Sequence, residues 1–146
     1  MKRSVTRLLT AAFMLFSISA FAEDDHAYTE GPVIQVDYIR TEPGKFDDYM
    51  KYLSTTYKSL MEAGKKAGVI LDYGVYQAFP RGPQEPDLIL TMTFKNMAAL
   101  DNMNAKVDPI VKQVFSSLKQ ADQSSIERGK LRTDLGGELL RQLILK

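Results

Sequence analysis

The sequence predicts an α+β domain in which two main helices cover one face of a four-stranded antiparallel sheet. Three observations predict it. Alternating, β-branched stretches at 33–40 and 87–94 read as strands. Apolar residues recur at three- and four-residue steps from Phe46 to Gly64, the period of an amphipathic helix. The segments follow the order strand, helix, strand, strand, helix, strand, which is the split βαβ arrangement of a ferredoxin-like sandwich.

The chain opens with Lys2, Arg3 and Arg7, an uncharged and mostly apolar run from Leu8 to Phe21, and the small-x-small triplet Ala20-Phe21-Ala22. That order is the pattern of a signal peptide cut after Ala22, so residues 1–22 are read as a signal and the protein as periplasmic or secreted. The run is short for a bilayer span, and no stable membrane association is expected after cleavage. Residues 23–31 are polar and aperiodic and read as a flexible leader; residues 32–146 form the domain.

Within the domain, Val33 to Arg40 is the first strand, with Ile34, Val36 and Tyr38 on one face and Gln35 and Asp37 on the other. Pro43-Gly44 ends it, and proline suits a first helical turn. The long helix carries Phe46, Tyr49, Met50, Leu53, Tyr57, Leu60, Met61 and Gly64 on its apolar stripe. Lys65 and Lys66 close it, where the helix dipole favours positive charge. Val69 to Phe79 reads as a second strand and Asp87 to Phe94 as a third, joined by a stiff loop with Pro80, Gly82, Pro83 and Pro86.

Leu88, Leu90, Met92 and Phe94 share one face of the third strand; Ile89, Thr91 and Thr93 share the other. Asn96 is a cap for a short helix over Met97 to Asn104, and Asp108-Pro109 marks the start of the second main helix. Its apolar stripe fades after Ala121. Arg132 to Gly137 reads as a loop, and Glu138 to Leu145 as a last strand covered on both faces.

The two helices close one sheet face. On the other, Val33, Ile39, Ile89 and part of the last strand are apolar. Water does not tolerate such a face, and the simplest cover is a second copy, so a two-fold homodimer packed sheet against sheet is expected.

Composition excludes several classes. Lys2, Arg3 and Arg7 are three of 19 basic residues, so the chain beyond residue 22 has 16 basic and 18 acidic side chains and a net charge near −2. No basic face for nucleic acid follows from that balance. With no cysteine in the sequence, thiolate metal sites, thiol nucleophiles and disulfides are excluded.

The strand Val33-Ile34-Gln35-Val36-Asp37-Tyr38, the turn Pro43-Gly44-Lys45-Phe46 and the run Asn96-Met97-Ala98-Ala99-Leu100-Asp101 resemble the dimeric α/β-barrel proteins, over about residues 32–145. That group includes antibiotic-biosynthesis-type monooxygenases and stress-responsive barrel proteins. The resemblance implies a homodimeric barrel able to hold a ligand between sheet and helices. Haem-binding members use a histidine within the fold, whereas the single histidine here, His26, falls in the leader. No cofactor and no metal are therefore expected.

Candidate chemistry lies in two sets. Tyr49, Tyr52 and Tyr57 fall on the long helix and Tyr38, Tyr73 and Tyr76 on strands, where a ring lines an apolar pocket and a hydroxyl orients a polar group. Gln35, Asp37, Asp72, Thr91, Thr93 and Arg141 are polar strand residues, several of them expected on the second sheet face. A charge buried there needs a partner. From these sets the candidate ligand contacts are Tyr38, Asp37, Tyr76, Tyr73, Thr91 and Arg141, with no catalytic residue assigned. Two functional readings follow. One is an exported homodimeric module that binds a small apolar organic molecule without catalysis. The other is a cofactor-independent monooxygenase- or isomerase-like enzyme.

Overall fold

The computed structural model describes residues 25–146; the expected signal over residues 1–22 lies outside the described residues. Four strands, β1 (Tyr28–Thr41), β2 (Asp72–Gln77), β3 (Leu88–Phe94) and β4 (Arg132–Leu145), form one antiparallel sheet in the order β2-β3-β1-β4. With helices after β1 and after β3, this is the ferredoxin-like α+β fold.

The first helix is a single rod with an interruption. α1 (Phe46–Tyr52) passes through a π-helical turn (Leu53–Tyr57) into α2 (Lys58–Lys66). The hydroxyls of Ser54 and Thr55 donate back to the Lys51 carbonyl at 3.0 and 2.8 Å, a competition that loosens the regular ladder. The rod buries Tyr49, Leu53, Tyr57 and Gly64, the stripe that the periodicity predicts. Gly68, at φ 70°, stands just past its end.

Several boundaries differ from expectation. β1 starts at Tyr28, inside the stretch read as leader, because Gly31-Pro32 forms a bulge instead of ending the strand. Proline has no N–H to give to the ladder and is tolerated there. β4 starts at Arg132, six residues before the expected strand, because Gly136 (φ 93°) lies in a second bulge opposite Asp37–Ile39. β2 is only six residues long.

Asn96 caps as expected, accepting from the Ala99 N–H at 3.0 Å, but over a short 3₁₀ turn (Met97–Leu100). The second main helix, α3 (Met103–Phe115), begins before Asp108, and Pro109 lies inside it. It stops at Ser116, which is left-handed at φ 63°. Ser117 then accepts from the Gln120 N–H and starts α4 (Leu118–Gly129), where the fading stripe suggested no separate helix.

The core lies between sheet and helices. Ile39, Leu88 and Leu90 pack with Tyr49, Leu53 and Tyr57 at one end; Val33 and Phe94 pack with Ile70 at the other. The β1–β3 register sets Val33 against Phe94 and Ile39 against Leu88. Strand alternation then puts Val33, Gln35, Asp37 and Ile39 on the helix side of β1, and Ile34, Val36 and Tyr38 on the open side. This reverses the expected assignment of β1. Both sets contain apolar residues, and the pairing with β3 decides between them.

β4 is an edge strand and is not covered on both faces within the chain. Leu139, Leu140, Leu143, Ile144 and Leu145 are all exposed. Its end pairs with Tyr28–Glu30 beyond the reach of β3, and the Lys146 N–H donates to the Ala27 carbonyl at 3.0 Å.

Candidate functional site

The helix-side face of the sheet is not filled along its whole length. A chamber of about 310 Å³ lies between the sheet, α2 and α3. α2 contributes Leu60, Met61 and Gly64; α3 contributes Met103, Val107, Ile110 and Val111. Gln35 on β1 and Met92 and Phe94 on β3 form the floor. Val69, Ile70 and Leu100 close it from the connections. Gly64, on the buried side of α2, adds no side chain to fill the space. Three of the lining residues, Met61, Met92 and Met103, are flexible thioethers that adapt to the shape of a guest.

Gln35 is the only polar side chain in the lining among the described residues. Its Nε2 donates to both carboxylate oxygens of Asp37, at 3.1 and 3.2 Å. Asp37 lines an adjoining hollow with Gly137, Glu138 and Leu139, and Gln35 and Leu100 line both spaces. The arrangement is an apolar chamber whose Gln35 is hydrogen-bonded to a carboxylate in the hollow beside it.

The charge of Asp37 is felt deeper in the core. The Tyr57 hydroxyl is buried without a hydrogen-bond partner, and burial, followed by the negative charge of Asp37, pushes its pKa well above the ordinary tyrosine value. Its ring meets that of Tyr73 edge-on, with centroids 6.0 Å apart. A phenol held this firmly in its neutral form can donate a hydrogen bond but is a poor base.

The six ligand contacts expected from the sequence divide three and three across the sheet. Asp37, Tyr73 and Arg141 take the helix side, opposite Leu90, Met92 and Val33 respectively. Tyr73 donates its hydroxyl to Glu62 at 2.8 Å, and Arg141 is ion-paired with Glu30. Tyr38, Thr91 and Tyr76 take the open side. Tyr38 and Tyr76 flank Ile89 in one cross-strand row, and Thr91 sits between Val36 and Gly74. The Tyr38 hydroxyl donates to Glu138 at 2.6 Å, a bond that raises its pKa. None of the six is among the residues lining the chamber; Asp37 is tied to it through its hydrogen bonds with Gln35.

The placement of Gln35 and Asp37 on the second sheet face is thereby corrected; Asp72, Thr91 and Thr93 do face that way. The chamber itself was not anticipated as a set of residues. The available signals were Gly64 on the buried stripe of a helix and methionines on three facing elements.

His26 stacks on Tyr28 with ring centroids 5.4 Å apart. Among the described residues, no group of three or more His, Cys, Asp or Glu side chains is placed to hold a metal ion. No described helix is long and apolar enough to cross a membrane.

No family model and no curated protein matches the sequence. Among solved structures the chain is similar to HapK from Hahella chejuensis, at 12% identity and a TM-score of 0.46 over 75% of this chain and 91% of that one. It is also similar to a dimeric ferredoxin-like protein from an uncultured marine organism, at 12% identity and a TM-score of 0.46 over 82% of this chain and 97% of that one.

Proposed function

We propose that this protein is an exported homodimer of the dimeric α/β-barrel type that binds a small, largely apolar organic molecule without catalysis. The observation that carries the reading is the chamber of about 310 Å³, whose lining among the described residues is apolar except at Gln35. Ligand sites have this character: a preformed apolar cavity with few polar groups to set orientation.

Export is supported by the positive start, apolar run and Ala20-Phe21-Ala22 triplet in the sequence. The homodimer is supported by the open sheet face. Ile34, Val36, Tyr38 and Ile89 form its middle, with Tyr76 (57% exposed) and Leu140 (44% exposed) beside them. Covering apolar surface is worth ~25 cal/mol per Å², before the cost of association.

Native mass spectrometry of protein purified from the exported fraction tests all three parts. The expected species is a dimer of chains lacking the first 22 residues, carrying a small molecule. Val107→Phe, which fills the chamber, is expected to lose the molecule and keep the dimer. A wild-type protein that neither retains nor takes up any apolar small molecule defeats the binding reading. The cofactor-independent enzyme is the second reading, favoured by the Asp37 carboxylate at the chamber's edge. It requires turnover that Asp37→Asn abolishes.

A further inference from the structure

We propose that the molecule bound in the chamber is an amphipathic cation, with a hydrocarbon body inside the chamber and an ammonium head on the carboxylate of Asp37. The inference rests on the binding reading above and specifies its ligand.

The body follows from the walls: among the described residues Gln35 is the only polar side chain in them, so the enclosed part of a guest gains nothing from further polar groups. The head follows from the edge. An ionised carboxylate accepts at about four lone-pair positions. Gln35 Nε2 supplies the side-chain hydrogen bonds to Asp37, and no Lys, Arg or His of the described residues forms an ion pair with it.

Among the described residues that line the adjoining hollow there is no cationic side chain. The neighbouring acid Glu138 pairs with Val36 and accepts from Tyr38, which turns its carboxylate to the open sheet face and leaves Asp37 as the acid on this side. Gln35 and Leu100 line both spaces, so the carboxylate of Asp37 sets the charge of the hollow where it adjoins the chamber. A cation there is attracted by Asp37, and an anion is repelled by it.

The bond between Gln35 and Asp37 prepares the site. It holds the carboxylate in one orientation at the boundary between apolar and polar space, so little order is lost when a charged donor arrives. A charge-assisted hydrogen bond at such a boundary is about twice as strong as a neutral one.

Isothermal titration calorimetry of the full dimeric protein with n-octylammonium, n-octanol and n-octanoate, at neutral pH and low salt, tests the proposal. The ammonium is expected to bind at least about tenfold more tightly than the alcohol, and the carboxylate most weakly of the three. Asp37→Asn is expected to bring the ammonium down to the level of the alcohol while leaving the alcohol unchanged. Leu139→Lys, which adds a positive charge to the hollow without touching Asp37, is expected to weaken the ammonium several-fold and serves if Asp37→Asn folds poorly.

Equal affinities for the three compounds, or an ammonium affinity that neither variant alters, overturn the head-group assignment and leave the chamber as a ligand site. Failure of all three to bind overturns the assignment and the binding reading together. Binding that persists in Val107→Phe places these compounds outside the chamber and overturns the proposal.

Discussion

A Cβ on Gly137 would collide with the carbonyl oxygen of Val36, so β4 approaches β1 more closely at this point than any residue with a side chain permits. Gly136, at φ 93°, supplies the bulge that brings it there. Gly137→Ala is expected to cost about 1–3 kcal/mol by forcing the strands apart. Gly136→Ala meets no atom and is expected to cost about 1–2 kcal/mol through its backbone conformation alone. Urea denaturation of the two variants checks both values.

Gly64 makes the opposite case. It lies in the interior of α2 on the buried side, with ordinary φ, and the nearest atom to an added Cβ is Ile70 Cγ1 at 3.5 Å, a normal contact. Glycine there costs about 0.5–1 kcal/mol relative to alanine. Gly64→Ala is therefore expected to stabilise the fold by about that amount, read as a raised urea midpoint with an unchanged slope. A larger residue at the same position enters the chamber and is expected to reduce ligand uptake.

Alkaline pH is expected to destabilise the protein through its buried phenols. Burial raises the pKa of Tyr57 and of Tyr49 above their ordinary value near 10. A raised folded value means that the native state keeps its proton while the unfolded chain loses it. The stability so contributed is complete below about pH 10 and is lost as pH climbs from there through the folded values. Ultraviolet titration of phenolate should show a late fraction that ionises only on unfolding. Tyr57→Phe should shrink that fraction. It should also raise stability at neutral pH by about 1 kcal/mol, because the hydroxyl it deletes is buried without a partner.

The open sheet face yields a prediction about assembly. Tyr76 is 57% exposed in the single chain, so Tyr76→Glu should hardly change the stability of a monomer. In a sheet-to-sheet dimer it buries a carboxylate against the apolar middle of the partner's face, and dissociation is expected. Sedimentation velocity of wild type and variant at matched concentrations separates the cases. A wild-type protein that sediments as a single chain at high concentration removes the basis for the barrel.

Much of the fold was legible because its strongest signals were local. The run Leu88, Leu90, Met92, Phe94 alternates cleanly, and each of the four faces the helices. The stripe through Tyr49, Leu53 and Tyr57 required only counting. The reading of β1 failed for a physical reason. Its two faces each contain apolar residues, and the polar pair Gln35 and Asp37 marked one of them as the open side.

In the structure that pair lies on the covered side, Gln35 at the floor of the chamber and Asp37 in the hollow beside it. The bulges at Gly31-Pro32 and Gly136 were hidden likewise: both dipeptides signal a break, and only the partner strand shows that pairing resumes beyond them. Tyr38, Tyr73 and Tyr76 were found as residues but not as a site, since the face each one takes depends on register.

The hydrogen bond between Lys146 and Ala27 brings the two ends of the β1–β4 ribbon side by side. A short peptide from Lys146 to Ala27 would join them without displacing a strand, and new termini could be opened in the proline-rich connection between β2 and β3. Such a circular permutant would keep every strand pairing while reversing which half of the sheet leaves the ribosome first.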